Sequence, residues 1–536
     1  MGTSQEQWRL LRDRAQSQEP SGPRLLVGAG SCGQAVGALE VAAELRKGIE
    51  KLGLRVAVVE SGCTGMCYGA VQVTLLGDGV PATYSSITPS NASASLAAIL
   101  KKQTLSFSPE AFLWSSDSQN GLPGVNSIPF LAGQRRILLE RCGLLDPEDI
   151  LDAVRHGAYG ALAGILTEGN PSQVIAIVKE SGLVGRGGAY FPVAVKWEGC
   201  RAAPGEPKYL VVNAEEGEPG IFKDRHLMEG NPHGLLEGML IAAYAAGSSR
   251  GFLFVNGEAK LSFQRLSRAV DQARSVGLIG KRILGSDFSF EVELRQGSGG
   301  FVLGEETALL ESIEGRRAMP RVRPPFPVES GLWGKPTVIN NVETLSNVPA
   351  LIGQGAGWFQ TLGTGKVHGT KLFGLSGNVA RPGVAEVELG RTLRDLIFSL
   401  GGGVAGGAGL KAVLLGGPSG SLIPPQELDL PLEPGGKFPL GSGGVVALDD
   451  HCSILDIAHT LIRFNANESC GKCTPCREGT ARMAAMIARL EQGRVPSTVS
   501  DEIENLSEVV RLASLCGLGQ AAPYSVLSGL RYFPET

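Results

Sequence analysis

In NESCGKCTPCREGT, residues 467–480, two residues separate Cys470 from Cys473 and two separate Cys473 from Cys476. Three thiolates spaced C-x2-C-x2-C on one turn can cap three corners of an iron–sulfur cubane, and a fourth must come from elsewhere. Cys516, in ASLCGLGQAAP (513–523), lies forty residues beyond Cys476, a separation a helical hairpin closes. Its own glycine-rich turn makes it the preferred fourth ligand, with Cys452 as the competitor. A zinc site or chance burial is the bland alternative, but zinc more often pairs two CxxC halves. Cys32, in GAGSCGQAVGALE, and Cys63 and Cys67, in ESGCTGMCYG, form a second group. Cys142 and Cys200 show no ligand spacing and read as small buried hydrophobes.

Glycine supplies 75 of 536 residues, about twice its average share. Much of it sits in GLVGRGGAYFP (182–192), GSGGF (297–301) and GGGVAGGAG (401–409). Such runs let backbone amides approach phosphates. The net charge is −4, with Lys and Arg interspersed among Asp and Glu, so no footprint for nucleic acid is visible. No apolar run approaches 18 residues and the N-terminus is polar, which predicts a cytoplasmic protein without membrane insertion. Ten cysteines are too few for a disulfide scaffold and are expected to be reduced.

The elements that must position these residues divide the chain into an α/β multidomain protein. Residues 1–22 form a polar leader, and 23–115 alternate RLLVGAG, a helix-like 33–53 and RVAVVE as a small α/β domain. Residues 116–135, rich in Ser, Gly and Pro, read as a linker. From 136 to 360, glycine-rich loops alternate with strands such as YLVVNA (209–214) and GFLFVNG (251–257), which argues for a parallel sheet. Residues 365–445 read as a β-grasp-like module, and 446–536 are helical in pattern.

Five stretches now identify a resemblance: GLVGRGGAYFPVAVKW (182–197), NAEEGEPGIFKDR (213–225), GEETALLESIEGRRAMPRVRPPFP (304–327), GKPTVINNVETL (334–345) and ESCGKCTPCREGT (468–480). In this order they resemble the flavin-bearing, NADH-oxidising subunit of respiratory complex I, which recurs in NAD-linked hydrogenases and formate dehydrogenases. The resemblance runs from about 136 to the C-terminus. It implies a Rossmann-like FMN/NADH domain, an SLBB-like β-grasp domain and a helical bundle whose Cys470, Cys473, Cys476 and Cys516 hold a 4Fe-4S cluster. It implies FMN surrounded by Gly185, Arg186, Gly187, Lys196, Asn213, Glu215, Glu216, Gly217, Gly304, Glu305, Glu306, Asn340, Asn341 and Thr344. It also implies that NADH meets Gly188, Ala189, Phe191, Lys196, Glu218, Glu305 and Phe326. No residue acts as catalytic acid or base, since hydride passes directly between nicotinamide and flavin.

Relatives commonly read Gly-Phe-Pro-Thr-Gly where this chain has Tyr190 to Ala194, and Asp where Glu215 stands. Tyr190 is expected to put a bulky ring beside the nicotinamide path. Residues 23–115 look like the thioredoxin-like 2Fe-2S domain that precedes this core in some relatives. Only Cys32, Cys63 and Cys67 are present, because Val27 and Gly28 occupy the place of the fourth thiolate. Either a non-cysteine ligand such as Ser31 completes the site, or the domain is a remnant kept for docking. The resemblance implies an NAD(H)-dependent dehydrogenase (diaphorase) subunit of a larger oxidoreductase. Its partners would be a 2Fe-2S small subunit of complex I type and a larger iron–sulfur catalytic subunit, such as a hydrogenase or formate dehydrogenase. The alternatives are a scaffold or electron-wire subunit with a decayed nucleotide site, and a plain respiratory complex I subunit.

Overall fold

The computed structural model describes residues 2–77, 79–364, 366–492 and 499–534. The β-branched runs near the N-terminus become strands β1 (Arg24–Gly28), β2 (Ala57–Ser61), β3 (Val73–Leu76), β4 (Ala82–Tyr84) and β5 (Phe112–Leu113). Their sheet order is β2-β1-β3-β4-β5. β1 and β2 are parallel because the helix Ala38–Lys51 makes the crossover between them. Val41, Leu45 and Ile49 recur every four residues along that helix and bury one stripe against Leu25 and Val27. The polar leader is itself a helix, Ser4–Ser17, started by a Thr3/Glu6 capping box. Its Trp8, Leu11 and Ala15 are buried against the central domain, and the Trp8 indole donates to the Ala158 carbonyl at 3.0 Å. In the Ser-, Gly- and Pro-rich stretch, Ile128, Phe130 and Leu131 are buried in the β-grasp core, so it packs as part of the fold.

The central sheet is parallel throughout: β6 (Tyr209–Ala214), β7 (Arg250–Val255), β8 (Glu291–Gln296) and β9 (Thr337–Asn341), in the order β8-β7-β6-β9. β6 and β7 are nearly continuous apolar runs, as strands covered on both faces must be, and β9 is buried over Thr337–Asn340. The chain walks outward from β6 to β8 and then returns to place β9 on the other side of β6. That reversal opens a crevice at the carboxyl ends of β6 and β9, the place where open α/β sheets bind ligands.

After a short hairpin of β10 (Gly363–Thr364) and β11 (Val367–His368) comes a mixed sheet. It comprises β12 (Thr370–Gly377), β13 (Gly383–Glu388), β14 (Leu410–Leu415), β15 (Ser421–Ile423) and β16 (Gly444–Asp449), ordered β13-β12-β16-β14-β15. The helices Ile454–Glu468, Thr474–Glu491, Val499–Ala513 and Tyr524–Tyr532 follow, packed around Ile462, Met483, Ile487, Ile503, Val510 and Val526. Among the described residues no helix is long and apolar enough to cross a membrane.

A wholly buried ionic network joins the central and β-grasp sheets. Lys223 Nζ lies 2.7 Å from Asp224 and 2.8 Å from Glu343, and Lys371 Nζ on β12 lies 2.6 Å from the same Glu343 carboxylate. Burial disfavours every one of these charges, yet the two ammonium groups outweigh it at Glu343 and hold that carboxyl below its ordinary range. At Lys371 burial dominates and pushes the ammonium down to about 7. Removing one partner of such a group leaves an uncompensated buried charge, which costs about 3–5 kcal/mol. Glu343→Ala is therefore expected to lower the thermal midpoint of the full chain by about 3–4 degrees. An unchanged midpoint would show that the network contributes no net stability.

Candidate functional site

The loop after the helix Pro171–Ser181 turns back on itself, with the Gly185 amide donating to the Phe191 carbonyl at 2.9 Å. Within it the Arg186 amide donates to Thr344 Oγ1 at 2.8 Å, which brings the loop to the end of β9. The Arg186 guanidinium is fully buried and donates to the carbonyls of Val184, His368 and Thr370, so it builds the loop and does not reach into the crevice. A Cβ at Gly187 would lie 3.0 Å from Asn341 Cβ, and Gly188 has φ +112°, so a chain with side chains here could not lie so close to β9. Lys196 Nζ contacts Glu306 at 3.0 Å and lies 5.9 Å from the centre of the Phe191 ring. Burial opposes ionisation of Glu306, but Lys196 and Arg323 outweigh it and hold the carboxyl low. Trp197 Nε1 donates to Asn340 Oδ1 at 2.9 Å, orienting that amide.

From the end of β6, Asn213 Nδ2 donates to the Gly304 carbonyl at 2.9 Å. Glu215 receives the Asn256 amide on one oxygen, while its other oxygen is buried without a partner among the described residues. Burial pushes this carboxyl up to about 7. Glu216 is held by the amides of Asp224 and Arg225 at 2.7 and 3.1 Å. Burial likewise pushes Glu218 up to about 7, opposed by the Ser442 hydroxyl that donates to it. Glu305 caps the helix Glu306–Ile313, accepting from the Thr307 and Ala308 amides at 2.9 and 2.8 Å. Phe191, with Lys196 over its ring, and Phe326, at the start of the helical turn Pro327–Ser330, remain about half exposed. Tyr190 sits at φ +51°, a conformation glycine suits. Its hydroxyl donates to the Gly441 carbonyl at 3.0 Å and its ring packs against the β-grasp core, so it turns away from Phe191 and Lys196.

The cysteines gather at the other side of the loop 297–304. Cys476 and Cys516 are buried together with Leu518, with Cys473, Phe301 and Val302 packed on them. The Leu515 amide points at Cys473 Sγ at 3.5 Å, and a Cβ at Gly519 would lie 2.9 Å from Cys476 Cβ. The Cys470 carbonyl accepts from Arg317 at 3.2 Å, and Lys472 donates to the Pro320 carbonyl at 2.6 Å, which pins the cysteine turn to the central domain. Cys452 lies elsewhere, 3.4 Å from Asp449 and packed in a small cluster with Leu448 and Ile454. Phe301 completes the link: its amide donates to Glu468 at 2.7 Å and its ring meets Phe464 at 5.7 Å. Thus one glycine-rich loop touches Asn213 through Gly304 and the cysteines through Phe301 and Val302. Sequence spacing pointed to neither Glu468, Asn256, Asp224 nor Lys371. Each acts through a contact distant in sequence, with no local pattern to mark it.

Cys32, Cys63 and Cys67 line one face of the N-terminal domain, beside His226 of the central domain. Val27 is buried in β1, and the Ser31 hydroxyl donates to Glu229 at 2.5 Å. Cys142 and Cys200 are buried.

The crevice fits FMN by the chemistry of its residues: a glycine cradle for phosphate, Asn213, Asn340 and Asn341 at the carboxyl ends of β6 and β9, and an orphaned buried Glu215 oxygen able to accept from a ring or sugar donor. Residues 178–350 match the Nuo51 FMN-binding domain, 371–448 the SLBB domain, and 456–536 the NADH-ubiquinone oxidoreductase-F iron-sulfur binding region. The chain is 44% identical to the NADP-reducing hydrogenase subunit HndC of Solidesulfovibrio fructosivorans over 75% of its own length and 82% of that protein. It is 43% identical to an NADH-quinone oxidoreductase subunit of Rhizobium meliloti (strain 1021), over 70% of this chain and 90% of the relative. The crystal structure of an NAD+-reducing NiFe-hydrogenase in the H2-reduced state superposes with a TM-score of 0.67 at 30% identity, covering 99% of this chain and 87% of that one. The chain belongs to the family of flavin-bearing, NADH-oxidising or NAD-reducing subunits of multi-subunit oxidoreductases, with FMN and a 4Fe-4S cluster as its cofactors.

Proposed function

We propose that the crevice between β6 and β9 is where NAD(H) and FMN exchange hydride, and that the loop 297–304 carries electrons onward to a cluster on Cys470, Cys473, Cys476 and Cys516. The observation that carries this reading is that loop, which touches Asn213 through Gly304 and the cysteines through Phe301 and Val302. When bound, FMN and the cluster supply the redox chemistry: hydride exchange with nicotinamide and one-electron transfer. The chain's own residues bind and orient. The glycine loop of Gly185, Arg186 and Gly187 cradles phosphate, its shape held by the Gly185 and Arg186 amides on Phe191 and Thr344, with Gly217 leaving room beside Glu215 and Asn256. Asn213, Glu215, Glu216, Glu305, Glu306, Asn340, Asn341 and Thr344 fix the loop ends that form the walls. Lys196, with Phe191 and Phe326 beside it, meets the nucleotide together with Gly188, Ala189 and Glu218. The aromatic faces stack on its rings, and the Glu218 carboxyl accepts from its hydroxyls or amide.

The partners proposed are a 2Fe-2S small subunit of complex I type and a larger iron–sulfur subunit of hydrogenase or formate dehydrogenase type, in the cytoplasm. The Tyr190 ring, bonded to Gly441 and packed on the β-grasp core, speaks against a decayed nucleotide site.

The test is NADH-dependent dye reduction by the purified chain. Phe191→Ala is expected to raise the KM for NADH about three- to tenfold, the worth of one aromatic contact. Tyr190→Gly is expected not to lower that KM; a severalfold gain in NADH affinity would show that the ring obstructs the nicotinamide path. Cys516→Ser is expected to lose cluster iron while retaining flavin that NADH bleaches, and Cys452→Ser to keep its iron. The reverse result for the two cysteines would move the fourth ligand to Cys452.

A further inference from the structure

The N-terminal cysteines and one histidine of the central domain meet at the seam between the two domains. Cys32 lies on the helical turn Ser31–Gln34 after β1, and Cys63 and Cys67 in the loop after β2. His226 projects from the helix Lys223–Gly230, which follows Glu216 and Glu218 in the central domain. The ligand atoms of Cys63, Cys67 and His226 all lie within 4.8 Å of one another, and Cys67 Sγ is 3.9 Å from His226 Nε2. Among the described residues they form the only such group. Cys32 stands outside that group of three but lines the same small cavity as Cys63, Arg225 and His226.

We propose that Cys32, Cys63, Cys67 and His226 bind a single tetrahedral zinc ion that pins the N-terminal domain to the flavin domain. Three lines of geometry converge on this. In a 2Fe-2S cluster each iron takes two protein ligands, its other positions being bridging sulfides, whereas here three ligand atoms converge on one point. Bonds of about 2.3 Å to sulfur and about 2.0 Å to nitrogen at tetrahedral angles place the ligand atoms about 3.5–3.8 Å apart, close to the 3.9 Å observed between Cys67 and His226. The four C-terminal cysteines do not crowd in this way, as the wider corners of a cubane require.

The surroundings hold the donors in place. His226 Nδ1 lies 3.1 Å from the Phe222 carbonyl, which selects the tautomer with Nδ1 protonated and leaves the Nε2 lone pair facing the thiols. The Gly65 amide donates to Cys63 Sγ at 3.4 Å. Ser31, the other candidate for a fourth ligand, is engaged through its amide and hydroxyl by Glu229. The seam is tight, because a Cβ at Gly62 would stand 2.4 Å from Gly230 Cα, and Arg265 donates to carbonyls on both sides, Glu60 on one and Glu229 on the other. Binding releases the protons of three thiols and leaves a centre of net charge −1, with Arg225 beside it in the cavity wall. With all four positions filled by protein, such a zinc is structural and takes no part in electron transfer.

The experiment is metal analysis and zinc absorption spectroscopy on the full chain with its flavin and cluster, purified anaerobically and washed with a chelator. About four irons and about one zinc per chain are expected, with a zinc shell of three sulfurs at about 2.3 Å and one nitrogen at about 2.0 Å. His226→Gln is expected to lose its zinc to the chelator while keeping flavin and cluster iron, and Cys63→Ser to do the same. Two irons above the cubane's four, with no zinc, would overturn the proposal in favour of a 2Fe-2S cluster. Cubane iron alone, with no second metal, would show that the pocket binds nothing. Zinc whose shell is unchanged in His226→Gln would place the ion elsewhere, and would equally overturn it.

Discussion

The pairing of Lys223 and Lys371 with Glu343 and Asp224 is the constraint on which the cofactor crevice depends. Asp224 accepts the Asn341 side-chain amide at 2.7 Å and, through its own backbone amide, fixes Glu216. Lys371 reaches past Glu343 to the Ser442 carbonyl at 2.8 Å, and Ser442 in turn meets Glu218. Its neighbour Gly441 accepts the Tyr190 hydroxyl. Every loop that forms the crevice wall on the β-grasp side is thus one or two contacts from this network. Four charges taken from water together are costly unless each is matched, and the matching requires the central sheet, the helix Lys223–Gly230 and β12 to meet in one register. A second buried carboxylate does similar work nearby: Glu386 on β13 accepts the amides of Ile137, Leu138 and Leu139 and the Thr370 hydroxyl.

The helix Lys223–Gly230 is the common strut. Its first turn carries the ionic network, its middle presents His226 to the N-terminal cysteines, and its end offers Gly230 to the close approach of Gly62. A chain built this way couples the seating of the N-terminal domain to the geometry of the flavin crevice through one rigid element. The loop 297–304 is the strut on the opposite side, fixed by Asn213 at Gly304 and by Glu468 at Phe301. The proposed route out of the crevice runs along this loop.

Much of the fold was legible because its signals are local. The apolar runs of β6 and β7, separated by glycine-rich turns and helices, announce a parallel sheet, and the structure has one. The spacing of Cys470, Cys473 and Cys476 announces a ligand turn. What spacing could not show is any pairing made only by folding. His226 stands 159 residues from Cys67 and Glu386 about 250 from the amides it binds, and nothing in either neighbourhood marks the partner. The contacts of Tyr190 are hidden for a related reason: a positive φ and one hydrogen bond to a distant carbonyl fix its ring on the β-grasp core. The leader was equally hard to place, since Trp8, Leu11 and Ala15 are a thin apolar stripe in an otherwise charged helix.

The central claim is that electrons enter at the crevice from a nicotinamide and leave through the cysteine centre. The most direct measurement is an anaerobic titration of the purified chain with NADH, following flavin absorbance and the electron paramagnetic resonance of the cluster in the same samples. The account predicts that flavin absorbance is lost on adding NADH and that the signal of a reduced 4Fe-4S cluster grows with it. Flavin that dithionite bleaches and NADH leaves oxidised would contradict it.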